Sequence, residues 1–231
     1  MHFCGMNKTT LLDYPGHVAA TLFTGGCNMR CPFCQNSILV LAPWEQPELS
    51  EQEVLDFLHR RQGILEGVCI TGGEPTLHPE LEDFVRRVRE LGYLIKLDTN
   101  GYRPQILRRL LEEKLLDYVA MDIKASRERY GVACGVPELE LHRIEESVEL
   151  LKASSISYEF RTTVVKGIHS PEEFTAIGQW LQGCRAYYLQ SFRDSGQVMQ
   201  PGFEEFDRRE LEEMRERAAQ YIPQTELRGL V

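Results

Sequence analysis

The stretch Cys27-Asn28-Met29-Arg30-Cys31-Pro32-Phe33-Cys34 places three thiols within eight residues. It follows the apolar run Val18-Ala19-Ala20-Thr21-Leu22-Phe23 and the hinge Thr24-Gly25-Gly26. A run with β-branched and aromatic residues that ends in two glycines is typical of a buried strand followed by a loop. We therefore expect the three sulfurs to converge at the end of that strand.

Three cysteines without a fourth ligand nearby indicate an open metal site. Structural zinc normally takes four protein ligands, and ordinary ferredoxin-like clusters are held by four cysteines. The next cysteine, Cys69, lies in a different predicted strand, and His17 precedes the first strand. A four-iron cluster held by three cysteines leaves one iron open to an external ligand. An open metal position is typical of a reactive site rather than a structural one.

The composition favours a packed globular chain and argues against a general nucleic-acid binder. Hydrophobic residues make up 42% of the chain, and the formal net charge of −9 is not that of a protein with a basic face. No apolar run approaches the ~20 residues that span a bilayer, and the first residues lack a signal-peptide pattern. Seven cysteines in such a chain indicate metal or redox chemistry rather than disulfides. We expect a cytoplasmic protein that binds neither nucleic acid nor membrane.

Along the chain, predicted strands alternate with predicted helices. The strands are expected near residues 18–23, 67–71, 94–97, 118–123, 158–165 and 186–190. Capping-box patterns at 50–53 and 170–173 predict two helix starts, and residues 207–221 predict a charged final helix on the outside. Six strand–helix units imply a parallel α/β sheet with right-handed crossovers. Because a full eight-unit barrel typically needs ~250 residues, we expect a partial (β/α)6 TIM-like barrel, open on one side. A doubly wound open sheet is the alternative.

Polar residues follow the ends of the successive predicted strands, where barrel-like folds carry their functional residues. They are Gly72, Gly73 and Glu74 after the second strand, Asp98 and Thr99 after the third, Asp122 and Lys124 at the end of the fourth, Arg161 in the fifth and Arg193 after the sixth. Glycines without a Cβ let the backbone approach a ligand closely. Asp98 can accept from an ammonium group and Lys124 can neutralise a carboxylate, so the two suit the ends of an amino acid.

The cysteine spacing, with Phe33 directly before the last cysteine, resembles the signature of radical S-adenosylmethionine (SAM) enzymes. More narrowly, the motifs Leu-Asp-Tyr-Pro-Gly at 12–16 and Ala-Thr-Leu-Phe-Thr-Gly-Gly-Cys at 20–27 are similar to those of activating proteins of anaerobic ribonucleoside-triphosphate reductases. Those proteins are relatives of the pyruvate formate-lyase activating enzymes. The resemblance implies the (β/α)6 fold and a single radical SAM domain over residues 1–231. Its core would span about 13–193 and a C-terminal extension about 194–231.

The resemblance also assigns roles to the residues named above. It implies that Cys27, Cys31 and Cys34 hold a [4Fe-4S] cluster whose open iron is chelated by SAM. It implies contacts to SAM from Phe33, Gly72, Gly73, Glu74, Asp98, Thr99, Asp122 and Lys124, with Phe33 near the adenine. Arg161 is expected to pair with the ligand carboxylate or with Asp122. Arg193 occupies the position where related formate-lyase activators carry a histidine near the nucleoside.

The function implied by the resemblance is reductive cleavage of SAM, followed by removal of a hydrogen atom from a glycine of a partner enzyme. The expected partners are a glycyl radical enzyme, by resemblance an anaerobic ribonucleotide reductase, and an electron donor such as flavodoxin or ferredoxin. Three alternatives stay open. The chain could activate another glycyl radical enzyme or modify a small molecule, it could be a zinc-stabilised or metal-sensing binding module, or it could transfer electrons without using SAM.

Overall fold

The computed structural model describes residues 1–194 and 196–230. Its strands are β1 (His2–Phe3), β2 (Gly5–Thr10), β3 (Ala19–Thr24), β4 (Leu49–Ser50), β5 (Gly67–Gly72), β6 (Leu94–Thr99), β7 (Tyr118–Asp122), β8 (Ser157–Val164), β9 (Tyr187–Ser191) and β10 (Thr225–Arg228). Its α-helices are α1 (Ser37–Leu41), α2 (Glu51–Arg60), α3 (Leu81–Glu90), α4 (Pro104–Glu112), α5 (Tyr130–Ala133), α6 (Leu141–Ala153), α7 (Glu173–Leu181) and α8 (Arg208–Ala219).

The chain divides into two compact units. The first comprises Met1–Asn28, Ile38–Ala120 and Ser154–Ser157, and the second comprises Met29–Ser37, Met121–Ala153 and the described residues from Tyr158 onward. The boundary between the units falls inside the cysteine loop, so Cys27 belongs to the first unit while Cys31 and Cys34 belong to the second.

The first unit is built on strands in the order β6-β5-β3-β2. The β3–β5 and β5–β6 pairs are parallel, and β2 adds to β3 in the antiparallel direction. Most of the apolar side chains of β3 and β5 are fully buried, which explains why both strands read as continuous apolar runs. Helix α2 begins with the predicted capping box, in which Ser50 and Glu53 exchange side-chain and backbone hydrogen bonds.

The second unit carries the parallel order β10-β9-β8. Strand β10 was not predicted and makes the C-terminal extension more than an outer helix. Its last residue, Arg228, holds it in place with two hydrogen bonds of 2.7 and 2.9 Å to Glu159, a carboxylate that is 1% exposed. The guanidinium group also lies 3.3 Å from the ring centroid of Tyr188. A bidentate, stacked arginine of this kind fixes both position and orientation.

The predicted capping box at the start of α7 is wrong. Helix α7 begins at Glu173, and the preceding residue Glu172 makes no side-chain capping bond to the helix. The Glu173 carboxylate instead accepts a 2.7 Å hydrogen bond from the backbone N–H of Ser126. The Glu173 carboxylate is therefore bound by a buried N–H group of a distant loop, and it does not form the local capping box.

The fold class is confirmed as mixed α/β with a parallel sheet that does not close. All six predicted strands are present within a few residues of their expected ends. None of the helices within residues 1–194 and 196–230 combines the length and apolar character that a membrane crossing requires. The single-domain organisation stays a prediction.

Close packing of α7 on α8 gives a test of the second unit. A Cβ atom on Gly178 would lie 3.0 Å from Tyr221 Cδ2 and 3.2 Å from the Ala218 Cα. We expect Gly178→Leu to lower the free energy of unfolding by about 1–3 kcal/mol through overpacking. Urea unfolding monitored by circular dichroism measures the change. The matched control is Glu172→Leu, an exposed position just before α7, for which we expect a change within about 0.5 kcal/mol. Equal stability of the two variants would contradict the packing described.

Candidate functional site

In the first unit, the loop after β5 lies directly against the loop after β3. Gly73 N–H donates to Thr24 O at 2.9 Å, and Glu74 N–H donates to Gly26 O at 2.8 Å. A Cβ atom on Gly73 would lie only 1.9 Å from Gly26 O. Glycine at 73 is therefore required by the approach of the two loops, one of which leads into Cys27.

The Glu74 carboxylate points into the protein and is fully buried. Its Oε1 accepts from Thr76 Oγ1 at 2.5 Å, from Thr76 N–H at 3.1 Å and from Thr99 Oγ1 at 2.7 Å, while Oε2 accepts from Asn100 N–H at 2.6 Å. Burial raises the pKa of Glu74, and these donors partly offset the rise. Glu74 thus joins the loops after β5 and β6. A direct contact from its carboxylate to SAM stays a prediction.

Asp98 has a cationic partner that sequence analysis missed. Lys96, 2% exposed, forms an ion pair with the Asp98 carboxylate, and its Nζ also lies 3.7 Å from Cys69 Sγ. Lys96 is two residues before Asp98 on the same face of β6, so the alternation of side chains along a strand is the signal that could have revealed the pair. Because Lys96 compensates the charge of Asp98, a ligand ammonium would meet an ion pair rather than an isolated carboxylate.

Asn28 and Asn100 are also functional candidates that sequence analysis did not single out. Asn100, 5% exposed, directs its side-chain Nδ2 towards Cys27 Sγ at 3.8 Å and towards Asn28 Oδ1 at 2.9 Å. The structure thus places amide groups beside the first cysteine of the motif, and amide N–H groups are hydrogen-bond donors to sulfur.

In the second unit, Asp122, Lys124 and Arg161 form one cluster. Arg161 Nε donates to Asp122 Oδ1 at 3.0 Å, and Lys124 Nζ donates to Oδ2 at 3.1 Å. Loss of solvent alone would raise the pKa of Asp122, but the two cations outweigh this and lower it to about 2. Loss of solvent would likewise lower the pKa of Lys124, which Asp122 and the Cys31 thiolate raise instead. Two cations on one carboxylate give the cluster a net positive charge, suitable for a ligand carboxylate.

The other two cysteines lie in a short turn held by the C-terminal extension. Cys34 N–H donates to Cys31 O at 3.0 Å. Met199 N–H donates to Cys34 O at 3.2 Å, and Gln200 N–H donates to Pro32 O at 2.8 Å. The extension therefore anchors the backbone of the cysteine loop, a contact that the sequence did not predict.

His169 links the Asp122 cluster to Phe33. Its Nδ1 accepts from Val165 N–H at 3.0 Å, so Nε2 carries the proton and donates to Lys124 O at 2.9 Å. The Phe33 ring packs edge-on against the imidazole, with 6.2 Å between the centroids. Phe33 is 4% exposed, so the structure gives it a packing role, and its contact to the adenine stays a prediction.

Arg193 contacts both Gln35, the residue after Cys34, and the C-terminal extension. Its Nη2 donates to Gly229 O at 3.2 Å, and its carbonyl accepts from Gln35 Nε2 at 2.6 Å. Arg193 is exposed and lines a cavity of about 820 Å³ together with Phe192, Phe206 and Leu211. Its role at the nucleoside stays a prediction.

The structure thus gathers the predicted residues into two groups, one in each unit. Cys27, Gly72, Gly73, Glu74, Asp98 and Thr99 belong to the first group, and Cys31, Phe33, Cys34, Asp122, Lys124 and Arg161 belong to the second. Among the described residues, no group of three or more His, Cys, Asp or Glu side chains is close enough to hold a metal ion. Ligation by the three cysteines therefore stays a prediction. The donor atoms suit a [4Fe-4S] cluster: three thiols, an amide donor from Asn100 at Cys27 and the ammonium of Lys124 near Cys31.

Gly73→Ala tests the contact between the two glycine loops. The new Cβ would clash with a backbone carbonyl, which cannot rotate away as a flexible side chain can. We expect a loss of unfolding free energy of about 1–3 kcal/mol, measured by urea unfolding. Gly5→Ala serves as the control, because a Cβ added there would meet only a side-chain atom of Phe23, at 3.9 Å. Similar losses in both variants would show that the carbonyl contact at residue 73 is not the cause.

His169 predicts a pH dependence of stability. Burial lowers the pKa of His169 below its ordinary value of 6.5. Below pH 6.5 the unfolded chain binds a proton that the folded chain does not, so stability falls as the pH falls towards the lower, folded-state pKa. The slope from this one group is at most about 1.4 kcal/mol per pH unit.

The measurement is urea unfolding of wild type and His169→Gln between about pH 7.5 and 5, the range in which an ordinary histidine titrates. The variant should be less stable at neutral pH and should lose less stability on acidification. Parallel pH profiles for the two proteins would contradict the assignment.

Comparison with known proteins supports an enzyme family for this chain. The protein MJ1227 of Methanocaldococcus jannaschii, whose name assigns it provisionally as a glycyl-radical enzyme activating enzyme, is 32% identical over 195 residues, 81% of this chain and 78% of the relative. The pyruvate formate-lyase-activating enzyme of Clostridium pasteurianum is 34% identical over 122 residues, 49% of this chain and 48% of that enzyme.

The fold is shared with solved structures of low sequence identity. SuiB of Streptococcus suis bound to S-adenosylmethionine superimposes with a TM-score of 0.64 at 16% identity, over 90% of this chain and 52% of SuiB. The family model of the Radical SAM superfamily matches residues 21–181, more than half of the chain. That interval contains all three clustered cysteines and both groups of strand-end residues, apart from Arg193. The chain belongs to the Radical SAM superfamily.

Proposed function

We propose that this protein is an activating enzyme that installs a glycyl radical on an anaerobic ribonucleotide reductase, using a [4Fe-4S] cluster and SAM. The observation that carries the proposal is the triplet Cys27, Cys31 and Cys34, spaced with three and two intervening residues, in a chain of the Radical SAM superfamily. Two relatives, one named as a glycyl-radical enzyme activating enzyme and the other as a pyruvate formate-lyase-activating enzyme, support the reaction class. The motifs at 12–16 and 20–27 favour the reductase as partner.

In this proposal, the residues of the chain bind and orient the cluster and SAM. The three thiolates would hold three irons and leave the fourth for the amino and carboxylate groups of SAM. The net positive group of Asp122, Lys124 and Arg161 would receive the SAM carboxylate. The backbone at Gly72 and Gly73 and the Asp98 carboxylate would receive the ammonium.

When bound, the cluster and SAM supply the one-electron reduction and the hydrogen-atom abstraction. The protein therefore needs no general acid or base, and the described pairs are consistent with this. The carboxylates of the two groups are already matched by cations or by hydrogen-bond donors, as in Lys96–Asp98 and in the Asp122 cluster. Such pairs suit binding and orientation better than proton transfer. An external donor of the flavodoxin or ferredoxin type would supply the electron.

The test is anaerobic reconstitution with iron and sulfide, followed by reduction in the presence of SAM and assay for 5′-deoxyadenosine. Wild type should bind about four irons with matching sulfide and form the product. The variant in which Cys27, Cys31 and Cys34 are all changed to Ala should lose both. The matched control is Cys184→Ala, a buried cysteine outside the motif, which should keep both.

The outcomes separate the alternatives. Product in the triple variant, or one tightly bound zinc in place of iron, would overturn the proposal in favour of another chemistry or a zinc module. A cluster without SAM cleavage would favour the electron-transfer alternative. The partner is tested by adding an anaerobic ribonucleotide reductase and recording the glycyl radical by EPR. Efficient SAM cleavage without a radical on that partner would contradict the reductase assignment only.

A further inference from the structure

Four hydrogen bonds hold Asn100, and three of them orient its side chain. Its backbone N–H is held by the buried Glu74 carboxylate at 2.6 Å. Its Oδ1 accepts from Tyr102 N–H at 3.0 Å. Because the backbone N–H of Tyr102 can only donate, the side-chain amide of Asn100 must place its oxygen there and its Nδ2 on the opposite side. That nitrogen faces Cys27 Sγ at 3.8 Å and Asn28 Oδ1 at 2.9 Å.

The orientation of Asn28 follows from that of Asn100. Since Asn100 presents a donor, Asn28 must present its oxygen, and the Asn28 Nδ2 group is directed elsewhere. This nitrogen is buried and has no hydrogen-bond partner among the described residues. A buried amide donor without an acceptor has lost its hydrogen bonds to water and gained none in return, which is unfavourable. Such a group, one residue from Cys27, requires an acceptor that residues 1–194 and 196–230 do not supply.

Sulfur atoms of a bound cluster are acceptors of the required kind. Thiolate and sulfide sulfurs accept hydrogen bonds, and bonds of this type are one of the levers by which a protein sets a cluster's reduction potential. Reduction adds negative charge to the sulfurs, so an N–H donor stabilises the reduced state more than the oxidised state. Removing the donor therefore makes reduction harder.

We infer that Asn28 and Asn100 form a pair of amide donors to the sulfurs at Cys27 and thereby raise the reduction potential of the cluster. The inference rests on the proposed function, since it requires the cluster. Both residues act as tuning residues through the sulfur atoms. The Glu74 carboxylate supports this pair, because it accepts a hydrogen bond from the Asn100 backbone N–H. This supporting role is distinct from ligand binding.

The experiment is an anaerobic redox titration of the reconstituted cluster without SAM, followed by EPR. Wild type is compared with Asn28→Ala, Asn100→Ala and the control Thr76→Val. The control removes one hydrogen bond to Glu74 at 2.5 Å but leaves both amides in place. Each asparagine variant should lower the equilibrium constant for one-electron reduction about tenfold, a shift of about 59 mV for a one-electron couple. Thr76→Val should leave the potential within error of wild type.

A second readout does not depend on the variants' stability. Wild type labelled with ¹⁵N only at asparagine side chains should show a nitrogen coupling to the reduced cluster in pulsed EPR, because an N–H···S bond transfers spin density. The coupling should weaken in either asparagine variant that retains the cluster. If Asn100→Ala loses its cluster, the nitrogen coupling in wild type still tests the inference.

The outcomes are distinct. Unchanged potentials in cluster-loaded variants, an equal shift in Thr76→Val, or no asparagine nitrogen coupling in wild type would each overturn the inference and leave the proposed function standing. Failure of wild type to bind a cluster at all would overturn the proposed function, and the inference with it.

Discussion

The first unit depends on the buried carboxylate of Glu74. Its hydrogen bonds among the described residues come from hydroxyl and backbone N–H groups, and none comes from a cation. Burying an unpaired charge is costly unless hydrogen bonds replace the lost water. Here the Thr76 and Thr99 hydroxyls and the backbone N–H groups of Thr76 and Asn100 do so. The same bonds connect the loop after β5 to the loop after β6. The chain thereby brings the glycines, the asparagine pair and Cys27 to one end of its parallel strands.

In the second unit, cations rather than neutral hydrogen-bond donors compensate the charge of a carboxylate. Asp122 is compensated by Lys124 and Arg161, and the positive charge of Lys124 also lies near Cys31. His169 holds the Lys124 carbonyl and packs on Phe33, and the backbone at Met199 and Gln200 holds the cysteine turn. Residues from well-separated parts of the sequence therefore position two of the three cysteines. The C-terminal extension contributes directly to that arrangement.

The parallel strands and the strand-end residues were predictable because they follow local rules. Apolar runs closed by glycines located β3 and β5, and the polar residues after the strands are the candidates that the structure places in two groups. The partners of those residues were not predictable, since Lys96, Asn100 and His169 acquire their roles from neighbours chosen by the tertiary fold. Strands β2 and β10 were missed because edge strands with polar side chains lack the apolar pattern. The α7 capping box failed because Ser126 offered Glu173 a buried donor.

The central claim is that three thiolates hold a four-iron cluster and leave one iron open for SAM. Mössbauer spectroscopy of the ⁵⁷Fe-reconstituted protein, recorded with and without SAM, tests it most directly. We predict a [4Fe-4S] spectrum in which one iron site, and no other, changes its isomer shift when SAM is added. A spectrum that SAM leaves unaltered, or one in which all irons have complete protein ligation, would contradict it.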